Sequence, residues 1–167
     1  MTPASDALKR SFPPVVDDRT RVLLLGSLPG EASLERGQYY AHPRNQFWRL
    51  VGAAAEIDLI SLAYEDRLEA LLDARIGLWD VVASARRRGS LDAAIRDHSP
   101  NALPDLAAAL PELRAVGFNG GTSARLGMPA LAQSGRALLP LPSSSPAYTL
   151  PFERKLEAWM ALKSFLD

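Results

Sequence analysis

The sequence contains no cysteine and only two histidines, His42 and His98. Thiolate-held zinc and iron–sulfur clusters are therefore excluded, and a histidine-based metal centre is short of ligands, so the expected chemistry is metal-free. A disulfide scaffold is excluded on the same count. Lysine is scarce as well: Lys9, Lys155 and Lys163 stand against sixteen arginines. Arginine binds phosphate through a planar fork that lysine lacks, although biased codon usage explains the same skew. No apolar run approaches the roughly 20 residues of a membrane span, and Met1–Lys9 lacks the basic-then-apolar order of a secretory signal, so a cytoplasmic location is expected. Acidic and basic side chains balance at 19 each, which argues against strong non-specific attraction to nucleic acid. What is present is 167 residues, 47% of them hydrophobic, a composition that fits one globular domain spanning 1–167.

Four short apolar runs stopped by glycine or proline read as strands buried on both faces: 21–27, 76–82, 115–118 and 137–141. Helical stretches fall between and after them, at about 45–55, 64–74, 90–96, 104–110, 122–133 and 151–166. In the last, Phe152, Leu156, Trp159, Leu162 and Leu166 recur at helical spacing behind Pro151, which suits a first turn. Residues 1–20 carry no period and include Phe12-Pro13-Pro14, so they read as an irregular arm. Strands alternating with helices imply an α/β fold whose parallel sheet is flanked by helices, with ligands at the carboxyl ends of the strands. The segments to inspect therefore follow the four runs.

None of the common signatures is present: no G-x-G-x-x-G, no phosphate-binding P-loop and no G-x-S-x-G elbow. After the first strand, Gly26-Ser27-Leu28-Pro29-Gly30 allows close backbone approach to a ligand, as any tight strand-to-helix turn does. Next comes Tyr39-Tyr40-Ala41-His42-Pro43-Arg44-Asn45, which combines stacking surfaces, a titratable ring and an amide. Asn45 serves equally as the cap of the following helix or as a polar group in the crevice, and the two roles are compatible. Ser143-Ser144-Ser145-Pro146 is a proline-bounded loop whose hydroxyls suit phosphate oxygens, though a plain surface turn has the same composition. Asn119 and Asp80, at strand ends, and the Arg86–Arg88 run have structural or solvated readings of equal weight.

Taken together, the strings 26–30, Tyr39 to Trp48, Gly77-Leu78-Trp79-Asp80-Val81, Phe118-Asn119-Gly120 and Leu141 to Pro146 resemble the uracil-DNA glycosylase superfamily. The match is closest to its hypoxanthine-DNA glycosylase (deoxyinosine glycosylase) branch. The resemblance implies a three-layer sandwich around a four-stranded parallel sheet and a DNA repair activity that removes a deaminated base without metal or cofactor. Most branches carry a catalytic Asn or Asp in the first motif, where this chain has Leu28; the hypoxanthine branch shares that lack, and its later asparagine corresponds to Asn45. Asn45 is accordingly the expected catalytic residue, and Tyr40 corresponds to the aromatic on which the base stacks.

On this reading the nucleotide is flipped into a pocket lined by Ser27, Leu28, Pro29, Gly30, Tyr40, His42 and Asn119, while Arg44, Ser143, Ser144, Ser145, Pro146 and Tyr148 hold DNA. An amide is too weak a base to deprotonate water early, so Asn45 is expected to position it. Asn119 offers a carboxamide complementary to the O6 and N1–H of hypoxanthine or the O4 and N3–H of uracil. No lysine lies in these segments, so Schiff-base chemistry is not expected and the enzyme is read as a monofunctional, monomeric glycosylase acting on DNA with deaminated bases. The alternatives are a mismatch-specific uracil or thymine glycosylase of the same fold, a non-catalytic nucleic-acid-binding module, and a nucleoside-binding α/β protein. Zero net charge then describes an average, with a local basic and hydroxyl-rich edge left to meet the phosphates.

Overall fold

A computed structural model describes residues 7–167. Its centre is a four-stranded parallel sheet in the order β3, β2, β6, β7, formed by β2 (Val22–Gly26), β3 (Ile76–Asp80), β6 (Ala115–Asn119) and β7 (Ala137–Leu141). These are the four apolar runs, and β2 and β6 are buried throughout because helices cover both faces. Alternation of side chains divides the core. Val22 and Leu24 pack with α2 (Phe47–Ala55) and α6 (Phe152–Trp159), while Leu23 and Leu25 pack with α4 (Leu103–Ala109) and the Leu131 turn. Pro140 cannot donate to a ladder on both sides, and β7 is accordingly an edge strand.

Register brings the chemistry to one rim. Gly26 pairs with Asp80, Leu25 with Phe118 and Asn119 with Leu141, so the carboxyl ends of all four strands finish at one level. The loops that follow them necessarily converge there.

Four sequence-based expectations are corrected. The segment 90–96 is not a helix: it holds a single 3-10 turn, Asp92–Ala94, and then strand β5 (Arg96–Pro100), exposed along its length. Gly89 and Ser90 at its start and Asp97 and Pro100 just beyond it are poor helix formers, and of its larger apolar side chains only Ile95 reaches the core, while Leu91 stays 59% exposed. β5 pairs antiparallel with β4 (Val82–Arg86), which leaves the main sheet directly after Val81. The stretch read as an irregular arm contributes β1 (Leu8–Arg10) to the other edge of β4, giving a second, antiparallel sheet; residues 1–6 of that stretch lie outside the described part. Two further helices differ in extent. α5 stops at Gly121–Gly127 because Pro129 follows, and α6 tightens into a 3-10 turn at Met160–Phe165. α3 (Tyr64–Asp73) lies where expected, and a short α1 (Glu31–Arg36) closes at Gly37, whose left-handed φ of 65° ends it.

Candidate active site

A cavity of about 670 Å³ opens at the carboxyl rim of the parallel sheet. Every residue expected at the site lines it except Arg44, which is exposed beside it and donates its backbone N–H to His42 Nδ1 at 3.1 Å. That contact occupies Nδ1 of His42, which itself lines the cavity. Asn45 N–H closes a turn onto the His42 carbonyl at 3.0 Å across Pro43, which is favoured at this turn position.

The Asn45 side chain combines the two roles left open by its sequence. Its Oδ1 accepts the Phe47 N–H at 2.9 Å, fastening the entry to α2, and also accepts the Ser144 hydroxyl at 2.7 Å. Two donors on Oδ1 fix which way the amide points and leave Nδ2 as the group Asn45 can offer. Ser144 is itself 1% exposed. Its Oγ accepts Asn119 Nδ2 at 2.9 Å, and its N–H donates to Asn119 Oδ1 at 2.9 Å. Asn119, Ser144 and Asn45 therefore form one chain of hydrogen bonds across the cavity wall.

This network changes two expected assignments. Ser144 is not placed to clamp phosphate, because its hydroxyl and its N–H are both spent inside the protein. Asn119 does not present a free carboxamide to a base, since both ends of its amide are tied to Ser144; one N–H and one lone pair remain. Ser143 and Ser145 differ from Ser144. Their hydroxyls accept the Ser145 and Ala147 N–H groups, each at 3.1 Å, which leaves both O–H protons available outward.

Tyr40 adopts a positive φ of 54°, uncommon for a large side chain, which turns it toward the cavity. Phe47 covers one face of its ring at 3.9 Å between centroids and 7° between planes. Tyr39, by contrast, is core: it is buried, and its hydroxyl donates to the Pro13 carbonyl at 3.0 Å. The Tyr40 hydroxyl and Asp80 Oδ2 are buried without hydrogen-bond partners. Both groups flank Gly26, where a Cβ would stand 2.7 Å from Asp80 Oδ1 and 2.9 Å from Tyr40 Oη. Glycine at 26 is what makes room for them. Burial pushes the Asp80 carboxyl up to about 7, with Arg87 opposing and Asp92 adding to the rise. Burial, reinforced by Asp80, likewise raises the Tyr40 phenol, so it stays protonated.

Sequence reasoning missed the buried supports. Arg87 is almost wholly buried and donates from Nε to the Gly89 carbonyl at 3.1 Å, from Nη1 to the Leu28 carbonyl at 3.4 Å and from Nη2 to the Pro29 carbonyl. Asp92 accepts the Ser27 hydroxyl at 2.5 Å and lies 3.8 Å from Arg87. Together with Val81 and Val82, whose N–H groups hold the Gly26 and Ser27 carbonyls, they pin the whole 26–29 turn from behind. Leu28 packs its side chain on Val82 and Ala85, so its backbone is what it offers a ligand. The clue was period two: Ala85 and Arg87 are buried while Arg86 and Arg88 are exposed, the last two bordering a shallow depression with Arg96. Lys155 is the other omission. Buried on α6, it donates to Gln46 Oε1 at 2.9 Å and to the Ser145 carbonyl at 3.3 Å, tying the serine loop to α2; none of the described lysines lines the cavity.

Among the described residues no group of three His, Asp or Glu is placed to hold a metal ion, and no helix is long and apolar enough to cross a membrane. The chain matches the model of the uracil DNA glycosylase superfamily over residues 13–163. It is 42% identical over 151 residues to a hypoxanthine DNA glycosylase of Methanosarcina barkeri, covering 90% of this chain and 95% of that one. It is 41% identical over 155 residues to the hypoxanthine DNA glycosylase of Methanosarcina acetivorans, covering 93% and 98%. A solution NMR structure of a Methanosarcina acetivorans protein superposes with a TM-score of 0.87 at 41% identity, covering 96% of this chain and 99% of that one.

Proposed function

Since the chain belongs to the uracil DNA glycosylase superfamily, we propose that it excises hypoxanthine, and with it other deaminated bases, from DNA by hydrolysing the N-glycosidic bond and leaving an abasic site. The observation that carries this reading is the Asn119–Ser144–Asn45 chain in the wall of the cavity. It holds one amide in one orientation beside Tyr40, in a cavity of a size suited to one extruded nucleotide.

The base enters against the Tyr40 ring, which Phe47 backs from the other side; such stacking contributes about 1–3 kcal/mol, comparable with the cost of unstacking. The glycosidic bond breaks toward an oxocarbenium-like sugar. Asn45 has both Oδ1 lone pairs occupied, so it acts as a donor: Nδ2 holds the hydrolytic water by its oxygen and takes no proton from it. The water becomes reactive because the sugar is already cationic, and the departing base is met by donors fixed in advance. Those donors are the N–H groups of Ser27, Leu28 and Gly30, in a turn whose carbonyls are held from behind, and the other ring nitrogen of His42. Ser143, Ser145 and the exposed Pro146–Tyr148 rim are the parts left to grip the strand. With lysine absent from the cavity lining, water is the nucleophile and the reaction ends at the abasic site.

The test is incubation of the purified protein with duplexes bearing single deoxyinosine, deoxyuridine or deoxyxanthosine, followed by alkaline cleavage. Strand scission at deoxyinosine is expected. Scission at none of the three overturns the proposal.

A further inference from the structure

Asp80 is a group the mechanism above does not use. It ends β3 at the cavity rim and is 3% exposed, yet lines the cavity. Its backbone is fixed, since Asn101 Nδ2 donates to its carbonyl oxygen at 2.7 Å. Its carboxyl is not satisfied, since Oδ2 is buried without a hydrogen-bond partner. A buried polar atom left unpaired costs about 1–3 kcal/mol, and such a cost is tolerated where the group has a job. The charged and titratable groups around it are Arg87, Asp92, Tyr39 and Tyr40, and the lack of a Cβ at Gly26 is what lets Asp80 Oδ1 and the Tyr40 hydroxyl stand where they do.

The leaving group supplies the missing partner. A purine carries a basic lone pair at N7 that can take a proton as the base departs, whereas uracil has no such ring nitrogen and leaves as an anion whose charge spreads over two carbonyls. A protonated carboxyl in the wall of a purine-sized cavity is a general acid for that step. We propose that Asp80 is the proton donor to the departing purine: as the C1′–N9 bond breaks and its electron pair moves into the base, the Asp80 proton passes to N7 and neutral hypoxanthine leaves. Water then adds at C1′ and releases a proton to solvent, from which Asp80 is reprotonated. Burial holds the carboxyl near neutrality, where an acid of this kind is both protonated and able to give its proton up. The inference rests on the glycosylase reading and adds the discrimination between purine and pyrimidine.

The experiment is single-turnover excision from about pH 5.5 to about pH 9, using duplexes with deoxyinosine or 7-deazadeoxyinosine and the wild-type protein or Asp80→Asn. The wild-type rate on deoxyinosine should fall about tenfold per pH unit above about pH 7. Asp80→Asn keeps the shape and a donor but has no proton to transfer; at about pH 6 it should be at least ~100-fold slower on deoxyinosine, with a flat profile. The 7-deaza substrate should be excised at least ~100-fold more slowly by the wild type, and Asp80→Asn should slow it no further. Binding of Asp80→Asn to an abasic duplex confirms that it is folded. A wild-type rate that does not change through about pH 7, or 7-deazadeoxyinosine excised within about threefold of deoxyinosine, overturns the proposal without reference to the variant. Absence of excision by the wild type at every pH is a different result and counts against the glycosylase reading itself.

Discussion

Replacing Ser144 by alanine separates a catalytic support from a DNA clamp. The change deletes one hydroxyl that accepts from Asn119 Nδ2 and donates to Asn45 Oδ1, at 2.9 and 2.7 Å, in a position 1% exposed to solvent. Each amide keeps one anchor: Asn45 Oδ1 retains the Phe47 N–H, and Asn119 Oδ1 retains the backbone N–H of residue 144. The cost therefore falls at the low end of about 1–3 kcal/mol for each buried group left unpaired, about 2 kcal/mol of stability in total. For catalysis, the amide loses one of two contacts that choose its orientation, worth roughly 1.5–3 kcal/mol in the transition state, or about ten- to a hundredfold in rate. Single-turnover excision of a deoxyinosine duplex, set beside binding to an uncleavable abasic duplex, reads the two apart. The rate at saturating enzyme should fall about ten- to a hundredfold while the dissociation constant moves by less than about threefold. Weakened binding with an unchanged saturating rate would show that Ser144 works on phosphate and that the hydrogen-bond chain is incidental.

Other perturbations probe the framework. Arg87→Met leaves the Leu28, Pro29 and Gly89 carbonyls without their donor, and urea denaturation should show a loss of about 3 kcal/mol with excision falling in parallel; retained stability would mean that the turn holds itself. Gly26→Ala sets a Cβ 2.7 Å from Asp80 Oδ1 and 2.9 Å from Tyr40 Oη, so activity should be lost at a stability cost of about 1–3 kcal/mol, and a fully active variant would contradict the packing. Asp80 also predicts a stability profile. Its folded value near 7 lies above its ordinary 3.8, so the native state binds the extra proton: stability should rise as pH falls through about 7 and decline as pH rises through it. Urea midpoints of the wild type at about pH 5.5 and pH 8.5, compared with Asp80→Asn, should show that slope only in the wild type.

The parallel sheet was legible because two-sided burial writes itself as four continuous apolar runs, each cut off by glycine or proline. The second sheet was not. β5 is exposed at every position and carries no apolar signal, and β4 follows β3 without a turn residue to mark where the chain changes sheets. At the site, residue types located the cavity but not the direction of each polar group. Three adjacent serines read as equivalent, and only the fold turns Ser144 inward between two asparagines while Ser143 and Ser145 face the rim. Arg87 was hidden in the same way inside an arginine run, and Lys155 inside an amphipathic helix whose tie to Gln46 spans 109 residues of chain. Asp80 could be placed at a strand end from the sequence, but its lack of a partner is a property of the packing around it.

The central claim is that Asn45 works as a donor whose oxygen is already taken. Single-turnover excision of a deoxyinosine duplex by the wild type, Asn45→Ala and Asn45→Asp tests it most directly, with binding to an abasic duplex measured alongside. Aspartate keeps the shape but exchanges the cavity-facing N–H for a carboxylate oxygen. The expected result is rapid excision by the wild type and a loss of at least ~100-fold in both variants, with DNA binding retained. Asn45→Asp cutting as fast as the wild type, or faster, would contradict the account, because position 45 would then be activating water as a base.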